Sequence, residues 1–220
     1  MIRLYSGPLS MFGAKAEVAL REKGVEFELT MVAFSQQQGY DPRHPEVLRV
    51  NPKRQVPVLI DGDVEIYDST QIFEYCEDRW PEPQLWPMST PGRARARQLE
   101  HASDEVFFPH VIKLMGMRAS PDPVDHPDWI KAREGIEAYY AKMESALAKH
   151  EYLAGAFTYA DIAFYISQFF AARHTVPMGA QHANLLAWRR RMAERPGVRL
   201  VIDRMAGYLR SIDYPVPAYE

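Results

Sequence analysis

Residues 51–69, NPKRQVPVLIDGDVEIYDS, constrain the fold more than any other stretch of the chain. Two short runs rich in β-branched residues, 56–60 and 64–67, flank the dipeptide Asp61-Gly62. Asp-Gly between two such runs is a strong hairpin signal. Pro57 stands at the start of the first run, one of the few positions where a sheet accepts proline. The stretch therefore predicts a β-hairpin.

The segments around this hairpin predict a small α/β layer of about 80 residues. Residues 2–5 form a short strand that Gly7-Pro8 ends, and residues 25–31 alternate as a half-buried strand does. Residues 33–49 are polar and turn-rich, which is typical of a loop with a short helix. Apolar spacing predicts helices over 13–23, which Gly24 stops, and over 69–80.

The remainder of the chain predicts only helices. Residues 81–90 are proline-rich and are interpreted as a linker, which gives domains of 1–80 and 91–220. A long helix over 93–117 is expected to kink at Pro109. Further helices are predicted over 129–150, 183–195 and 198–212. Residues 158–174 are apolar nearly all round, as in the central helix of a bundle.

Residues 157–162 carry a helix-start signal. Thr158 can cap the central helix, Asp161 can accept a hydrogen bond from the Thr158 amide, and Phe157 can pack against Ile162. A structural role is therefore favoured for the Asp161 carboxylate over a catalytic one.

Composition excludes several classes of function. A net charge of −3 gives no global case for nucleic-acid binding, and a single cysteine excludes an internal disulfide framework. The chain shows no basic-then-apolar leader, and its longest apolar stretch is too short to span a bilayer, so a cytoplasmic protein is expected. His101, Asp104 and His110 do not form a metal-ligand pattern, and no metal is expected.

The sequence resembles the cytosolic glutathione transferase family over nearly its whole length. Its N-terminal motif is similar to that of bacterial, serine-type members and of the zeta and theta classes. The motifs that carry the resemblance are LYSGPLSMFGAKAEVALREKGVEFE, NPKRQVPVLIDG, Asp68-Ser69, GAFTYADIAFY, and Trp188 with Arg195-Pro196. The resemblance implies a thioredoxin-like glutathione-binding domain followed by an all-helical domain with an electrophile pocket. It also implies glutathione as co-substrate, a homodimer and a role in detoxification.

The resemblance also assigns the residues that would hold glutathione. In the family the Val56-Pro57 bond is cis and presents the valine amide and carbonyl to the cysteinyl backbone of glutathione, as a strand edge pairs with a peptide. Asp68-Ser69 would receive the γ-glutamyl group at a helix start. The family usually has Glu or Gln in place of Asp68, so its shorter side chain weakens amine recognition. Gln55 aligns with a position that often contacts the glycine end.

Ser10 is the main candidate for catalysis, with Tyr5 and Ser6 as rivals. A hydroxyl at a helix N-terminus can stabilise a thiolate by hydrogen bonding and through the helix dipole. Ser10 matches by spacing the serine of serine-type members, whereas Tyr5 lies where tyrosine-type members carry their hydroxyl. A helix cap without chemistry remains the alternative for Ser10.

Departures from the family pattern narrow the range of reactions that the chain is expected to catalyse. Redox members carry cysteine at or near Ser10, and zeta-type members carry Ser-Ser-Cys, whereas this chain has Ser-Met-Phe. Cys76 lies on the inward face of its helix and is interpreted as a core residue. The electrophile pocket is expected to be lined by apolar side chains, namely Leu9, Phe12, Phe107, Phe108, Val111 and Met115.

The preferred interpretation is a glutathione transferase that activates the thiol for attack on a small hydrophobic electrophile. Two alternatives stay open. One is a non-catalytic binding or scaffold protein with the same fold. The other is a glutathione-dependent dehalogenase, isomerase or ether-cleaving enzyme.

Overall fold

The computed structural model describes residues 1–117 and 123–219, which divide into two units. The first unit comprises Met1–Gln84 together with Pro196–Tyr214. The second comprises Leu85–Arg195 and the tail that begins at Pro215. The last long helix of the chain therefore belongs to the first unit.

Four strands form one mixed sheet in the first unit. They are β1 (Arg3–Ser6), β2 (Glu28–Met31), β3 (Val58–Asp61) and β4 (Val64–Tyr67), in the order β2-β1-β3-β4. β1 pairs parallel with β2 and antiparallel with β3. β3 and β4 form the predicted hairpin, with Asp61 opposite Val64 and Gly62 at a positive φ of 63° in the turn.

Alternate residues of the strands face two separate apolar clusters. On one face Leu4 packs with residues of α1 (Met11–Glu22) and α3 (Ser69–Arg79). On the other face Tyr5 packs with Val47 of α2 (Pro45–Val50). This alternation gives the expected α/β layer, and it places Tyr5 on the side of the sheet opposite α1.

The first unit is completed by α9 (Pro196–Ser211), which packs against α1. The Glu17 carboxylate of α1 is fully buried and is bound by two guanidinium groups. Arg21 donates to it at 2.8 Å along the same helix, and Arg204 of α9 donates through both terminal nitrogens. The ion pairs compensate a charge that would otherwise be costly to bury.

The described part of the second unit is helical. Its helices are α4 (Thr90–Ala102), α5 (Phe108–Gly116), α6 (Pro127–Leu147), α7 (Tyr159–Arg173) and α8 (Ala183–Glu194). Every residue of α7 from Tyr159 to Ala171 is buried, which confirms the prediction of a central helix. The ring of Phe164 stacks on Trp188 and meets Phe107 edge to face.

The predicted capping box at the start of α7 is present. The Asp161 carboxylate accepts from the Thr158 N–H at 2.9 Å and from the Thr158 hydroxyl at 3.1 Å. It also accepts from the Leu153 N–H and the Trp188 indole, each at 2.9 Å. Burial raises the pKa of Asp161 to about 6, and the four donors oppose that rise. Asp161 therefore ties together three segments of the second unit, as its structural interpretation expected.

The helix predicted over 93–117 is interrupted earlier than expected. α4 ends at Ala102, and a π-helical turn over Ser103–Phe107 precedes α5, in which Pro109 occupies the first turn. Pro109 has no N–H to donate to the preceding turn, and the π-helical turn stands directly before this part of the helix. The loop predicted over 120–127 falls partly on residues 118–122, outside the described residues.

Candidate functional site

Ser10 is the N-cap of α1. Its Oγ accepts a hydrogen bond from the Gly13 N–H at 3.0 Å, and its side chain is 8% exposed. Because Oγ acts as an acceptor towards the helix, its own proton remains available for donation. The first-turn N–H groups and the helix dipole add positive potential at the same point. The arrangement can therefore stabilise an anion beside Ser10.

The two rival hydroxyls lie in different surroundings. Tyr5 faces the α2 side of the sheet, where its hydroxyl accepts from Arg3 at 3.3 Å and its ring contacts His44. Ser6 is 1% exposed and lies under the first turn of α1. A Cβ atom on Gly13 would sit 2.2 Å from Ser6 Oγ and 2.9 Å from Ser10 Oγ. Ser6 and Ser10 are thus near neighbours, and Tyr5 is not part of this group.

Residues 51–57 form a loop that leads into β3. The Val56-Pro57 bond is cis, as the resemblance implied. β3 begins only at Val58, so the backbone groups of Val56 lie before the sheet ladder. Asn51, which is buried, donates to the Gln55 carbonyl at 2.6 Å and braces the loop. Gln55 itself is exposed, and Val56 is partly exposed.

Asp68 and Ser69 meet at the start of α3. Asp68 has a positive φ of 77°, a conformation that costs a non-glycine residue about 1–3 kcal/mol and that clusters at ligand sites. Its carboxylate accepts from the Thr70 N–H at 3.0 Å and the Gln71 N–H at 3.4 Å. Asp68 is exposed, whereas Ser69 is 2% exposed. The Asp68 carboxylate therefore already serves as a helix cap.

A groove of about 650 Å³ lies in the first unit, between the segment that follows β2 and α9. Tyr208 of α9 donates a hydrogen bond to the Phe34 carbonyl at 3.1 Å across the groove, and their rings lie 6.2 Å apart. Pro8, of the loop that leads to Ser10, is one of the lining residues. The lining is mainly apolar and consists of Pro8, Met31, Val32, Ala33, Phe34, Arg204, Gly207, Tyr208 and Ser211. Such a groove suits a small apolar molecule.

Tyr40 is a residue of this region that the sequence did not single out. Its ring contacts Phe34 at 4.8 Å and lies directly against Gly7. A Cβ atom on Gly7 would sit 2.1 Å from the Tyr40 ring and 2.3 Å from its hydroxyl oxygen. The sequence feature that could have indicated this contact is Gly7. A glycine directly after a strand leaves room for another side chain to pack against the backbone, and here that side chain is Tyr40.

Comparisons with known proteins place the chain. The model of the glutathione S-transferase N-terminal domain matches residues 9–79, and that of the C-terminal domain matches residues 102–196. Glutathione S-transferase F10 of Arabidopsis thaliana is 30% identical over 74% of this chain and 78% of its own length. The chain belongs to the glutathione S-transferase family.

Two further relatives show how widely this family likeness extends. A glutathione S-transferase from Rhodospirillum rubrum F11 has a TM-score of 0.78 at 26% identity, covering 92% of each chain. A stringent starvation protein A homologue from Coxiella burnetii is 32% identical over 52% of each chain. The chain is thus similar to relatives that are not all named as transferases.

The predicted electrophile-pocket residues lie in both units of this glutathione S-transferase family member. Leu9 is buried and Phe12 is partly exposed, on either side of Ser10 in the first unit. In the second unit Phe107 and Val111 are fully buried, and Phe108 contacts Phe170 in the core. Met115 is partly exposed.

Cysteine and metal chemistry have no assembled site in the described residues. Cys76 lies on the face of α3 that packs on the sheet and is fully buried, as expected, and burial raises the pKa of its thiol to about 12. Residues 1–117 and 123–219 contain no group of three or more His, Cys, Asp or Glu side chains able to hold a metal. Over the same residues no helix is both long and apolar enough to span a membrane.

Proposed function

We propose that this chain is a glutathione transferase that ionises the glutathione thiol beside Ser10 and joins the sulfur to a small hydrophobic electrophile. The observation that carries the proposal is the Ser10 hydroxyl at the N-cap of α1, where its oxygen accepts a hydrogen bond from the Gly13 N–H. Membership of the glutathione S-transferase family supports glutathione as the thiol.

Four groups of the first unit, together with Ser10, would hold the tripeptide. The backbone of Val56, outside the sheet ladder, would pair with the cysteinyl residue. Ser69 and the amides that open α3 would bind the γ-glutamyl carboxylate. Gln55 would contact the glycine end. The Asp68 carboxylate would bind the γ-glutamyl amine while it also accepts hydrogen bonds from the first turn of α3.

The thiol then loses its proton to water, and the sulfur becomes a nucleophile. A free thiol with a pKa near 8.5 is about 3% ionised at pH 7, and lowering that pKa by two units requires about 2.7 kcal/mol. A hydrogen bond to a charged group contributes about 1.5–3 kcal/mol, and a helix N-terminus adds about 0.3–1 kcal/mol. Ser10 and α1 therefore suffice for the activation.

In the transfer step the thiolate attacks an electrophilic carbon and a carbon–sulfur bond forms. The leaving group departs with its electron pair or, in an addition, the electrophile takes up a proton. Leu9, Phe12, Phe107, Phe108, Val111 and Met115 remain the pocket residues we propose. A homodimer in the cytoplasm, acting in detoxification, completes the proposal.

A titration of glutathione into the protein tests this function. The ultraviolet absorbance of the thiolate is followed against pH for the wild type and Ser10→Ala. We expect a thiolate signal near neutral pH in the wild type and its loss in Ser10→Ala, with binding retained. Unchanged thiolate formation and turnover in Ser10→Ala would refute the role of Ser10.

Ser89→Ala is the matched control. Ser89 caps α4 in the same way, accepting from the Gly92 N–H at 3.2 Å, so its loss removes a helix cap of the same kind. We expect Ser89→Ala to lower stability without changing the thiolate signal. A signal lost equally in both variants would mean that cap loss, and not the Ser10 hydroxyl, is responsible.

Two observations keep the alternatives testable. The Asp68 carboxylate already accepts a hydrogen bond from the first turn of α3, and one relative is not named as a transferase. Both observations favour a non-catalytic binding or scaffold protein. Binding of glutathione without turnover on any electrophile would support that role. Glutathione released unmodified or oxidised, and absent from the final product, would instead indicate dehalogenation, isomerisation or ether cleavage.

A further inference from the structure

The six-residue helix α2 leads directly into the loop that carries the Val56-Pro57 bond. Its C-cap is Asn51, whose side chain donates to the Gln55 carbonyl at 2.6 Å and accepts from the Lys53 N–H at 2.9 Å. Asn51 is 3% exposed, so these hydrogen bonds are shielded from water. The end of α2 therefore helps to set the course of the loop.

Few contacts hold α2 in place. Of its six residues only Val47 is buried, and it packs on the face of the sheet that carries Tyr5. Arg49 binds the carboxylates of Glu46 and of Glu65 in β4, but exposed ion pairs contribute little to stability. A helix this short is marginal in water on its own, so its population depends on how its ends are capped.

A histidine caps the start of α2. The Glu46 N–H donates to Nδ1 of His44 at 3.2 Å, and Pro45 between them has no N–H to donate. Nδ1 can accept this hydrogen bond only while the imidazole is neutral and its proton is on Nε2. A protonated imidazole would lose the bond and would add a positive charge at the positive end of the helix dipole.

His44 can respond to the pH of the solution. It is partly exposed, and histidine is the side chain that ordinarily changes its charge between pH 5 and pH 8. Its ring contacts that of Tyr5 at 4.8 Å. The charged residues of the surrounding segments are Arg3 of β1, Asp41 and Arg43 before α2, Glu46 and Arg49 of α2, and Glu65 of β4. Since both glutamates already bind Arg49, neither is a ready partner that would offset the lost cap.

We propose that His44 is a positioning residue for glutathione, which holds α2, and through Asn51 the loop of Val56, in the conformation that binds the tripeptide. This inference rests on the proposed function. His44 acts through the helix and makes no bond to glutathione. Protonation of His44 in mild acid weakens α2, so the affinity for glutathione falls as the pH drops below neutrality.

Binding of S-methylglutathione, measured by calorimetry at pH 7.5 and pH 5.5, tests the inference, because this ligand has no thiol to ionise. We expect the affinity of the wild type to be about threefold lower at pH 5.5, which is within the effect of losing one helix cap. His44→Asn supplies a cap that does not titrate, so its affinity should change by less than about 1.5-fold. His44→Ala removes the cap and should bind about threefold more weakly than the wild type already at pH 7.5.

His126→Asn is the matched control. His126 caps α6 in the same way, because its Nδ1 accepts from the Asp128 N–H at 3.1 Å and a proline, Pro127, stands between them. Helix α6 belongs to the second unit. We expect His126→Asn to keep the affinity of the wild type at pH 7.5 and the same fall at pH 5.5.

The outcomes separate this inference from the function on which it rests. A fall in affinity that persists in His44→Asn, or that is absent from the wild type, would overturn the inference alone. Wild-type affinity of His44→Ala at pH 7.5 would also overturn it, because binding would then not need the cap. A fall abolished equally in His126→Asn would do the same, since the effect would not be specific to α2. No binding of S-methylglutathione by the wild type at either pH would overturn both.

Discussion

Asp161 provides a test of how the second unit is held together. Asp161→Asn keeps the shape of the side chain but turns one acceptor oxygen into an NH2 donor. The amide is best oriented with this NH2 towards Thr158, because a hydroxyl can rotate to accept. The N–H groups of Leu153 and Trp188 cannot do so and would keep the remaining oxygen. One buried donor, the Thr158 N–H, then loses its partner.

The charge of Asp161 gives the prediction its pH dependence. The folded-state pKa is about 6, against 3.8 for an unperturbed aspartate. Between these values the folded state holds a proton that the unfolded state has released, so ionisation makes the wild type less stable as pH rises. The amide of the Asp161→Asn variant cannot titrate. The stability of the wild type relative to Asp161→Asn should therefore fall by about 1.4 kcal/mol between pH 5 and pH 8.

Asp161→Ala measures the full loss of stability when the carboxylate is removed. It leaves the N–H groups of Leu153, Thr158 and Trp188 without their acceptor, and each such loss costs about 1–3 kcal/mol. We expect Asp161→Ala to lower the free energy of unfolding by at least about 3 kcal/mol. Asp161→Asn should lose less than Asp161→Ala at pH 8.

Urea unfolding at pH 5 and pH 8, followed by tryptophan fluorescence, measures these differences. Asp63→Asn, at an exposed position of the hairpin turn, controls for the loss of a carboxylate as such. A gap between wild type and Asp161→Asn that is equal at the two pH values would refute the argument that burial raises the pKa of Asp161. The argument would also be refuted if the wild type gained stability relative to Asp161→Asn between pH 5 and pH 8.

Two further predictions concern the first unit. Cys76 should react with a thiol-specific reagent only after unfolding, because it is fully buried and its pKa is raised to about 12; rapid labelling of the folded protein would contradict this. Gly7→Ala should lower the free energy of unfolding by about 1–3 kcal/mol, since its Cβ would lie 2.1 Å from the Tyr40 ring. Gly116→Ala, with no atom of the described residues within 4 Å of its Cβ position, is the control, and equal effects in urea unfolding would refute the steric argument.

The elements that local signals specify were predictable from the sequence. The Asp61-Gly62 turn, the stop of α1 before Gly24 and the capping box of α7 each depend on residues within a few positions of one another. The strand predicted over 56–60 begins later, at Val58, because Pro57 has no N–H to give to a ladder.

Features that depend on tertiary packing were not predictable. The π-helical turn over Ser103–Phe107 lies where Ser103 meets Ser167 of α7 at 2.9 Å, a buried contact between residues distant in sequence. Of the candidate site, Ser10 and the Val56-Pro57 bond could be named from motifs, but their catalytic and binding roles remain proposals. Tyr40 lies in a polar stretch without periodicity, and only the fold brings it to Gly7.

The position of α9 has a consequence for the order in which the protein can mature on the ribosome. The sheet, α1 and α3 are complete in sequence by Arg79, yet the carboxylate of Glu17 receives Arg204 only from the last helix. Until α9 has been synthesised, the side of α1 that packs against it stays uncovered, and the Glu17 carboxylate has only Arg21 as its cation. The surroundings of α1 are thus completed only about 180 residues after α1 itself has been synthesised.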